Sequence, residues 1–463
     1  MTVPHDWAIY GPFSSLNDKQ EVAISQDGQK EAMEHAGRTG GLPFVGVGWY
    51  RTEFDVPQFQ AGKRATILFD GAMSHANVYI NGQKVGYWPY GYNSFHFDIT
   101  KYLKPGEKNT LAVRLENLPE SSRWYPGAGL YRNVHLIITE DAYIPVWGTY
   151  ITTPSVNEKF AKVNVRTKVV LPEGADPAKY SVETSVWNPN KQKLTAVRTS
   201  LAQMKYNNNQ AEQEFVIQAP SLWSPEMPAL YSAETRLYEG DKLKDIYTTP
   251  FGIRSIEIIP DKGFFLNGKR TVFKGVCNHH DLGPLGAAVN DAAIRRQIRI
   301  LKEMGCNAIR TSHNMPAPEL IRACDEMGMM IMAESFDEWN VAKCKNGYNL
   351  LFDEWAEKDL VNLLHNFRNN PSVVMWCIGN EVPNQWNEGD CKIAKWLQDI
   401  CHREDPTRPV TQGMDAPDAV VNNNFAAVMD VAGFNYRPFK YKINYKKLPQ
   451  RIVLGSETAS TVS

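Results

Sequence analysis

Along the first 144 residues apolar and polar positions alternate in short runs separated by turn residues. The runs are GWYRTEFDVP (48–57), RATILFDGA (64–72), ANVYINGQKVGYW (76–88), NTLAVRLEN (109–117) and YRNVHLIITE (131–140). A period of two puts one face of each run in a core and the other in water, the mark of a half-buried strand. Asn81-Gly82 divides two such runs, and both residues tolerate the positive φ of a tight hairpin. Helical periodicity is nearly absent, so residues 1–144 predict a β-sandwich of jelly-roll type. Residues 145–252 continue with KVNVRTKVVLP, YSVETSVWNP, EQEFVIQAP and LYSAETRLYEG. About seven short strands in roughly 100 residues predict a second, immunoglobulin-like sandwich.

From residue 253 to 463 the pattern changes to alternating strands and helices. TVFKGVCNH (271–279) reads as a strand. NDAAIRRQIRILKEMG then carries Ile294, Ile298, Leu301 and Met304 at helical spacing and stops at Gly305. CNAIRTS, MMIMAES, SVVMWCIG, RPVTQGM, VMDVAGFNY and RIVLGSE are the remaining strands, with helices between them at PAPELIRACDEMG, DEWAEKDLVNLLHNFRN and KIAKWLQDICHRED. Seven apolar strands, each expected to be buried on both faces, predict a (β/α)₈ TIM barrel that lacks its last unit. A missing unit leaves an open edge, so the chain is expected to be a fragment of a longer protein, and PHDW at 4–7 reads as mid-strand.

Composition narrows the partners. A formal net charge of -1 gives no reason to expect nucleic acid. No apolar run is long enough to span a bilayer, and the first residues lack the basic and apolar regions of a signal peptide. The 7 cysteines all lie in the second half, without a CxxC pair, and are expected to be mostly buried thiols.

In a parallel barrel, function collects where strands end. The residues there are Asn278, His279, His280 and Asp281; Arg310 through Asn314; Glu334, Asp337 and Trp339; Asn380 and Glu381; Asn435 and Tyr436; and Glu457. Carboxylates, imidazoles, amides and aromatics on one rim suit an uncharged, polyhydroxylated substrate. Glu381 and Glu457 end the fourth and seventh strands, which face one another across a barrel of eight, and hydrolysis of a glycoside needs two carboxyls flanking the anomeric carbon. His279-His280-Asp281 could suggest a metal, but adjacent strand residues point to opposite sides and chelate poorly. One substrate-facing and one packed histidine is the preferred reading. Tyr92 and Asn93, in the loop GYNSF, could reach the site; Trp88 and Trp124 read as packing residues.

The chain resembles glycoside hydrolase family 2, which holds the classical β-galactosidases, β-glucuronidases and β-mannosidases. The matching stretches include PHDW, GWYRTEFDVP, RWYPGAGLYRNVHL (123–136), FGIRSIEI (251–258), GFFLNGKRTVFKGVCNHHD (263–281), NAIRTSHNMP (307–316), CDEMGMMIMAESFDEW (324–339), NNPSVVMWCIGNE (369–381) and GSETAS (455–460). The resemblance implies a β-galactosidase-like retaining exo-β-glycosidase, with Glu381 as acid/base and Glu457 as nucleophile. It implies that Asn380 bonds the sugar 2-hydroxyl, that Tyr436 holds the nucleophile and that Arg310 lowers its pKa. His279, His313, Asn314 and Asp337 would line the sugar subsite. β-Glucuronidase or β-mannosidase activity, or an inactive carbohydrate-binding fragment, are the alternatives. The expected partner is a β-linked oligosaccharide or glycoside. No organic cofactor is implied, a Mg²⁺ or Na⁺ ion is compatible, and a homo-oligomer is open. The resemblance suggests a periplasmic or exported protein, and the unpaired cysteines would equally suit a cytoplasm.

Overall fold

The computed structural model describes residues 1–459 apart from 15, 18, 21–34, 37–42, 57–61 and 204–209. Pro57 and Ser460, which end two of the stretches quoted above, lie outside the described residues.

The first domain is a sandwich of two antiparallel sheets. Gly46–Asp55, Lys108–Asn117, Ala76–Ile80 and Gln83–Trp88 form one sheet in that spatial order; Phe95–Asp98, Arg64–Phe69 and Val134–Thr139 form the other. Alternate residues of Ala76–Ile80 are buried, as the period of two predicts. Phe69, Val78, Phe95, Val113 and Leu115 fill the space between the sheets. The turn at Asn81-Gly82 has φ of 51° and 80°. The second domain is a sandwich of three and four antiparallel strands around Val163, Val165, Val186, Phe215 and Ala233. Its strand Gln210–Gln218 alternates strictly between buried and exposed residues from Ala211 onward.

The third domain is one curled sheet of seven parallel strands in sequential order. They are β1 (Gly275–Asn278), β2 (Ala308–Thr311), β3 (Met330–Glu334), β4 (Val373–Asn380), β5 (Val410–Met414), β6 (Val431–Asn435) and β7 (Val453–Glu457). The main connecting helices are α1 (Asp291–Glu303), α2 (Pro318–Met327), α3 (Phe352–Phe367) and α4 (Cys391–Glu404). Asn290 caps α1 by accepting from Ala293 N at 3.0 Å, and Gly328 closes α2 in the left-handed conformation.

Two expectations are corrected. The first barrel strand begins at Gly275 rather than Thr271, because Lys269–Arg270 first pairs back on Gly263–Leu266 in a small antiparallel sheet. Nor are all seven strands buried on both faces. Every residue of β4, β5 and β6 is buried, whereas β1 is exposed at alternate positions and β7 is mostly half-buried. These two strands are the free edges of the sheet among the described residues, so each has only one neighbour to cover it. The edges still approach one another: the Cys277 thiol of β1 donates to the Ser456 carbonyl of β7 at 3.3 Å.

The domains are locked by polar contacts. Buried Asp359 of α3 accepts from Trp88 Nε1 at 2.9 Å and Asn93 Nδ2 at 2.6 Å, both from the jelly roll. Arg132, fully buried, donates to the carbonyls of Met315 and Pro316 after β2. On the other side Tyr150 OH donates to Asp405 at 2.8 Å, and Arg254 donates to the carbonyls of Pro371 and Val373.

Candidate active site

The C-terminal ends of the strands deliver a connected network. Glu381 directly follows β4 and Tyr436 directly follows β6, and both have left-handed φ, 43° and 54°. Such a backbone is strained for a side-chain-bearing residue. It is held here because each amide still bonds the neighbouring strand: Glu381 N to Gly413 O at 2.7 Å, Tyr436 N to Glu457 O at 2.5 Å.

Arg310 of β2 is the cationic centre. Its Nε donates to Glu334 Oε2 at 2.5 Å, its Nη1 to Glu457 Oε2 at 3.0 Å and its Nη2 to Asn380 Oδ1 at 2.9 Å. Burial works against its charge, but Glu334 above all, with Cys377, Cys277 and Glu457 behind it, outweighs that and raises it well above its ordinary value. Tyr436 OH donates to the other oxygen of Glu457. Gly413 of β5 contributes only space. A Cβ there would stand 2.6 Å from Arg310 Nη2 and 2.9 Å from Asn435 Oδ1, so any side chain would break the network.

Asn435, at the end of β6, joins the two glutamates. Its Oδ1 accepts from Ser456 Oγ at 2.8 Å, which fixes the amide orientation. Its Nδ2 then faces Glu381 Oε1 at 2.9 Å, Glu457 Oε2 at 3.3 Å and Asn380 Oδ1 at 3.0 Å. Two oxygens at 2.9 and 3.3 Å from one nitrogen are at most 6.2 Å apart, the sum of those distances. Burial raises the Glu381 carboxyl above its usual range, only partly offset by the Asn435 bond and Lys343.

Asp337, beyond β3, is the anionic counterpart. Arg123 of the jelly roll grips it at 2.8 and 2.6 Å, Lys343 Nζ donates at 2.9 Å and Asn380 Nδ2 at 3.0 Å. Burial alone would raise Asp337, but Arg123 and then Lys343 override it and hold the group well below the usual carboxylate range. His313 places Nδ1 2.8 Å from Glu334 Oε1, with Nε2 3.8 Å from Glu457 Oε2. Burial, then Arg310, depress it well below its ordinary value.

Cys277, His279, Arg310, His313 and Glu457 line a cavity of about 440 Å³ at the seam between β1 and β7. Glu381 is not in its lining and reaches Glu457 through Asn435. The structure therefore brings together Arg310, His313, Asn380, Glu381, Tyr436 and Glu457, with His279 on the wall. It leaves Asn314 outside: that side chain is 1% exposed, and its amide folds back on the Ser312 carbonyl at 3.2 Å. Asp337 stands beside the cluster with both oxygens taken. His280 is packed, with Nε2 2.9 Å from the Pro126 carbonyl. Asn93 is turned away to Asp359, and Trp124 packs against the site, with its ring 5.1 Å from His279 and 5.8 Å from His313. Among the described residues no group of three or more His, Cys, Asp or Glu side chains is placed to hold a metal ion, and no helix is long and apolar enough to cross a membrane.

Four residues of the network were not assigned a role from sequence. Glu334 and Asn435 end strands, and that position was the available signal. Arg123 and Lys343 lie on loops, where spacing carries no such mark.

Comparison with known proteins agrees with this architecture. Residues 42–140 match the sugar binding domain of glycosyl hydrolases family 2, residues 143–254 match a second domain of that family, and residues 257–457 match its TIM barrel domain. The chain belongs to glycosyl hydrolases family 2. It is 40% identical over 468 aligned residues to a β-galactosidase of Bacteroides ovatus, covering 94% of this chain and 53% of that protein. A β-glucuronidase of Bacteroides fragilis is 32% identical, over 79% of this chain and 54% of its own length. The crystal structure of a family 2 member from Bacteroides cellulosilyticus superposes with a TM-score of 0.87 at 35% identity, covering 99% of this chain and 57% of that one. The chain thus spans about half the length of the relatives it matches.

Proposed function

We propose that the protein bearing this chain is a retaining exo-β-glycosidase that removes terminal β-galactosyl groups, with Glu457 as nucleophile and Glu381 as acid/base. The observation that carries this reading is the Asn435 amide shared between the two carboxylates. Retaining enzymes hold their carboxyls about 5–5.5 Å apart and inverting ones about 6.5–9.5 Å, so that a water fits between. Oxygens no more than 6.2 Å apart favour direct attack by the carboxylate.

In the first step Glu457 attacks the anomeric carbon while the proton of Glu381 passes to the departing glycosidic oxygen. An ester between sugar and Glu457 forms and the glycosidic bond breaks. In the second step Glu381, now ionised, takes a proton from water as the water oxygen displaces Glu457. The environments differ as this requires: Glu381 is raised by burial, while Glu457 is surrounded by Arg310, Tyr436 and Asn435, all donors. Asn380 spends its oxygen on Arg310 and Asn435 and one N–H on Asp337, which leaves one N–H for the sugar 2-hydroxyl. His279, His313 and Trp124 offer a wall for the sugar ring.

The relatives carry both galactosidase and glucuronidase names, so the sugar turns on charge. Arg310 is paired with Glu334 and Glu457, and Arg123 and Lys343 with Asp337. None of these three cations is left to receive a uronate carboxylate, which favours a neutral sugar. The test is release of nitrophenol from the β-galactoside, β-glucuronide and β-mannoside by the protein bearing this chain and by its Glu381→Gln variant. Galactoside turnover that falls about 10²–10⁴-fold in the variant is expected. Full activity in the variant, or preference for the glucuronide, refutes respectively the acid/base assignment and the sugar.

A further inference from the structure

A second cavity lies at the opposite end of the barrel from the glutamates, where the immunoglobulin-like domain meets the segments leading into β4 and β5. Its volume is about 740 Å³, and its charged lining is Arg166, Arg254, Arg368, Arg403, Arg408 and Glu257. Five guanidiniums and one carboxylate around one space is a strong bias of sign in a protein of net charge -1.

The pairing of each arginine sharpens this. Arg403 is held by Glu357 at 2.9 Å and Glu404 at 2.7 Å, and Arg408 by Asp405 at 2.6 Å. Asp405 is fully buried and also accepts from Tyr150, Trp376 and Thr407, so it has nothing further to offer. Arg166 approaches Glu212 only at 3.7 Å. Arg254 and Arg368 have no carboxylate within ion-pair distance among the described residues. Arg254 is 8% exposed, and its two bonds go to the carbonyls of Pro371 and Val373. Arg368 stacks on the Tyr150 ring at 4.5 Å, makes one long bond of 3.4 Å to the Glu404 carbonyl, and has a buried Nε with no partner. Glu257 is exposed and in no ion pair among the described residues. Burial followed by Arg408 lowers Arg254 to about 9, only partly offset by Asp405 and Asp325 at longer range, and a buried cation with no directly paired carboxylate is costly.

We propose that this junction cavity binds a small oxyanion, a phosphate, sulfate or carboxylate group, on Arg254 and Arg368. The planar guanidinium fork matches such groups, and the anion supplies the direct ion pair that Arg254 and Arg368 lack, their nearest carboxylates acting only at longer range. The site is separate from the glycoside site: Pro371 and Arg408 precede β4 and β5, whereas Glu381 follows β4. The bound anion ties the immunoglobulin-like domain, through Arg166 and Tyr150, to the base of the barrel.

The test is calorimetric titration of the chain with inorganic phosphate at ionic strength held constant with sodium chloride, with sulfate and acetate as competitors. Saturable binding of one phosphate per chain is expected, weakened about tenfold in Arg368→Gln, the loss of one charge-assisted bond. Arg166→Glu alters an exposed side chain at the rim and serves should Arg368→Gln fail to fold; it too weakens binding. Absence of saturable heat, or equal affinity in wild type and the folded variants, overturns the proposal and leaves the cavity to water. Competition by sulfate and not acetate assigns a tetrahedral anion; competition by both assigns a general oxyanion site.

Discussion

Replacing Asn435 by alanine tests the link between the two glutamates. In the native site Asn435 Nδ2 donates to Glu381 Oε1 at 2.9 Å, a bond that favours the ionised form of a carboxyl already raised by burial. A hydrogen bond to a charged group contributes about 1.5–3 kcal/mol. This amide has two hydrogens for three acceptors, so the share falling to Glu381 is nearer the lower end. Each 1.36 kcal/mol is one pKa unit, so Asn435→Ala is expected to raise Glu381 by about one unit. In the proposed mechanism Glu381 must be protonated to serve the leaving group, so activity is lost as pH rises through its pKa. The alkaline limb of kcat/KM for a β-galactoside therefore moves up by about one unit, while kcat at the optimum falls as Asn380 and Glu457 lose a shared anchor. Glu457 keeps Arg310 and Tyr436, so the change is concentrated on the alkaline limb. A pH–rate profile of the variant beside the parent measures it. An alkaline limb that stays in place or moves down refutes the coupling, and an unchanged profile with full activity refutes the site.

Arg123→Met removes one partner of a buried pair whose side chains are 11% and 10% exposed. It is expected to cost about 3 kcal/mol, at the low end for such pairs because Lys343 and Asn380 remain on Asp337, and calorimetry should show the jelly roll parting from the barrel at lower temperature. Glu404 is held at about 2 by the His365 and Arg403 bonds, so it contributes stability present above its ordinary pKa and lost as pH falls toward 2. Glu404→Gln lacks that contribution, and its stability, followed by circular dichroism, falls less steeply than the parent's between about pH 4.5 and 2.

The strand pattern was legible because burial in these domains follows the period of two: Ala76–Ile80 and the Asn81-Gly82 turn are where alternation puts them. The paired glutamates were legible because a parallel barrel confines chemistry to strand ends. The exposure of β1 and β7 was not, since residues such as Val276 and Leu454 are apolar whether or not a neighbour covers them. The clamp on Asp337 was not legible either, because Arg123 meets it across a separation of 214 residues that no local pattern encodes. Gly413 shows the same limit: a strand glycine looks like a weakness until Arg310 is seen in the space where its side chain would be.

That clamp also changes what activity reports. Arg123 belongs to the jelly roll and Asp337 to the barrel, and Asp337 in turn holds Asn380, the residue before Glu381. On the proposed assignment, catalysis then depends on the docking of the two domains as well as on the folding of the barrel. On heating, turnover should vanish when the jelly roll detaches, while the barrel's helices persist in the circular dichroism spectrum.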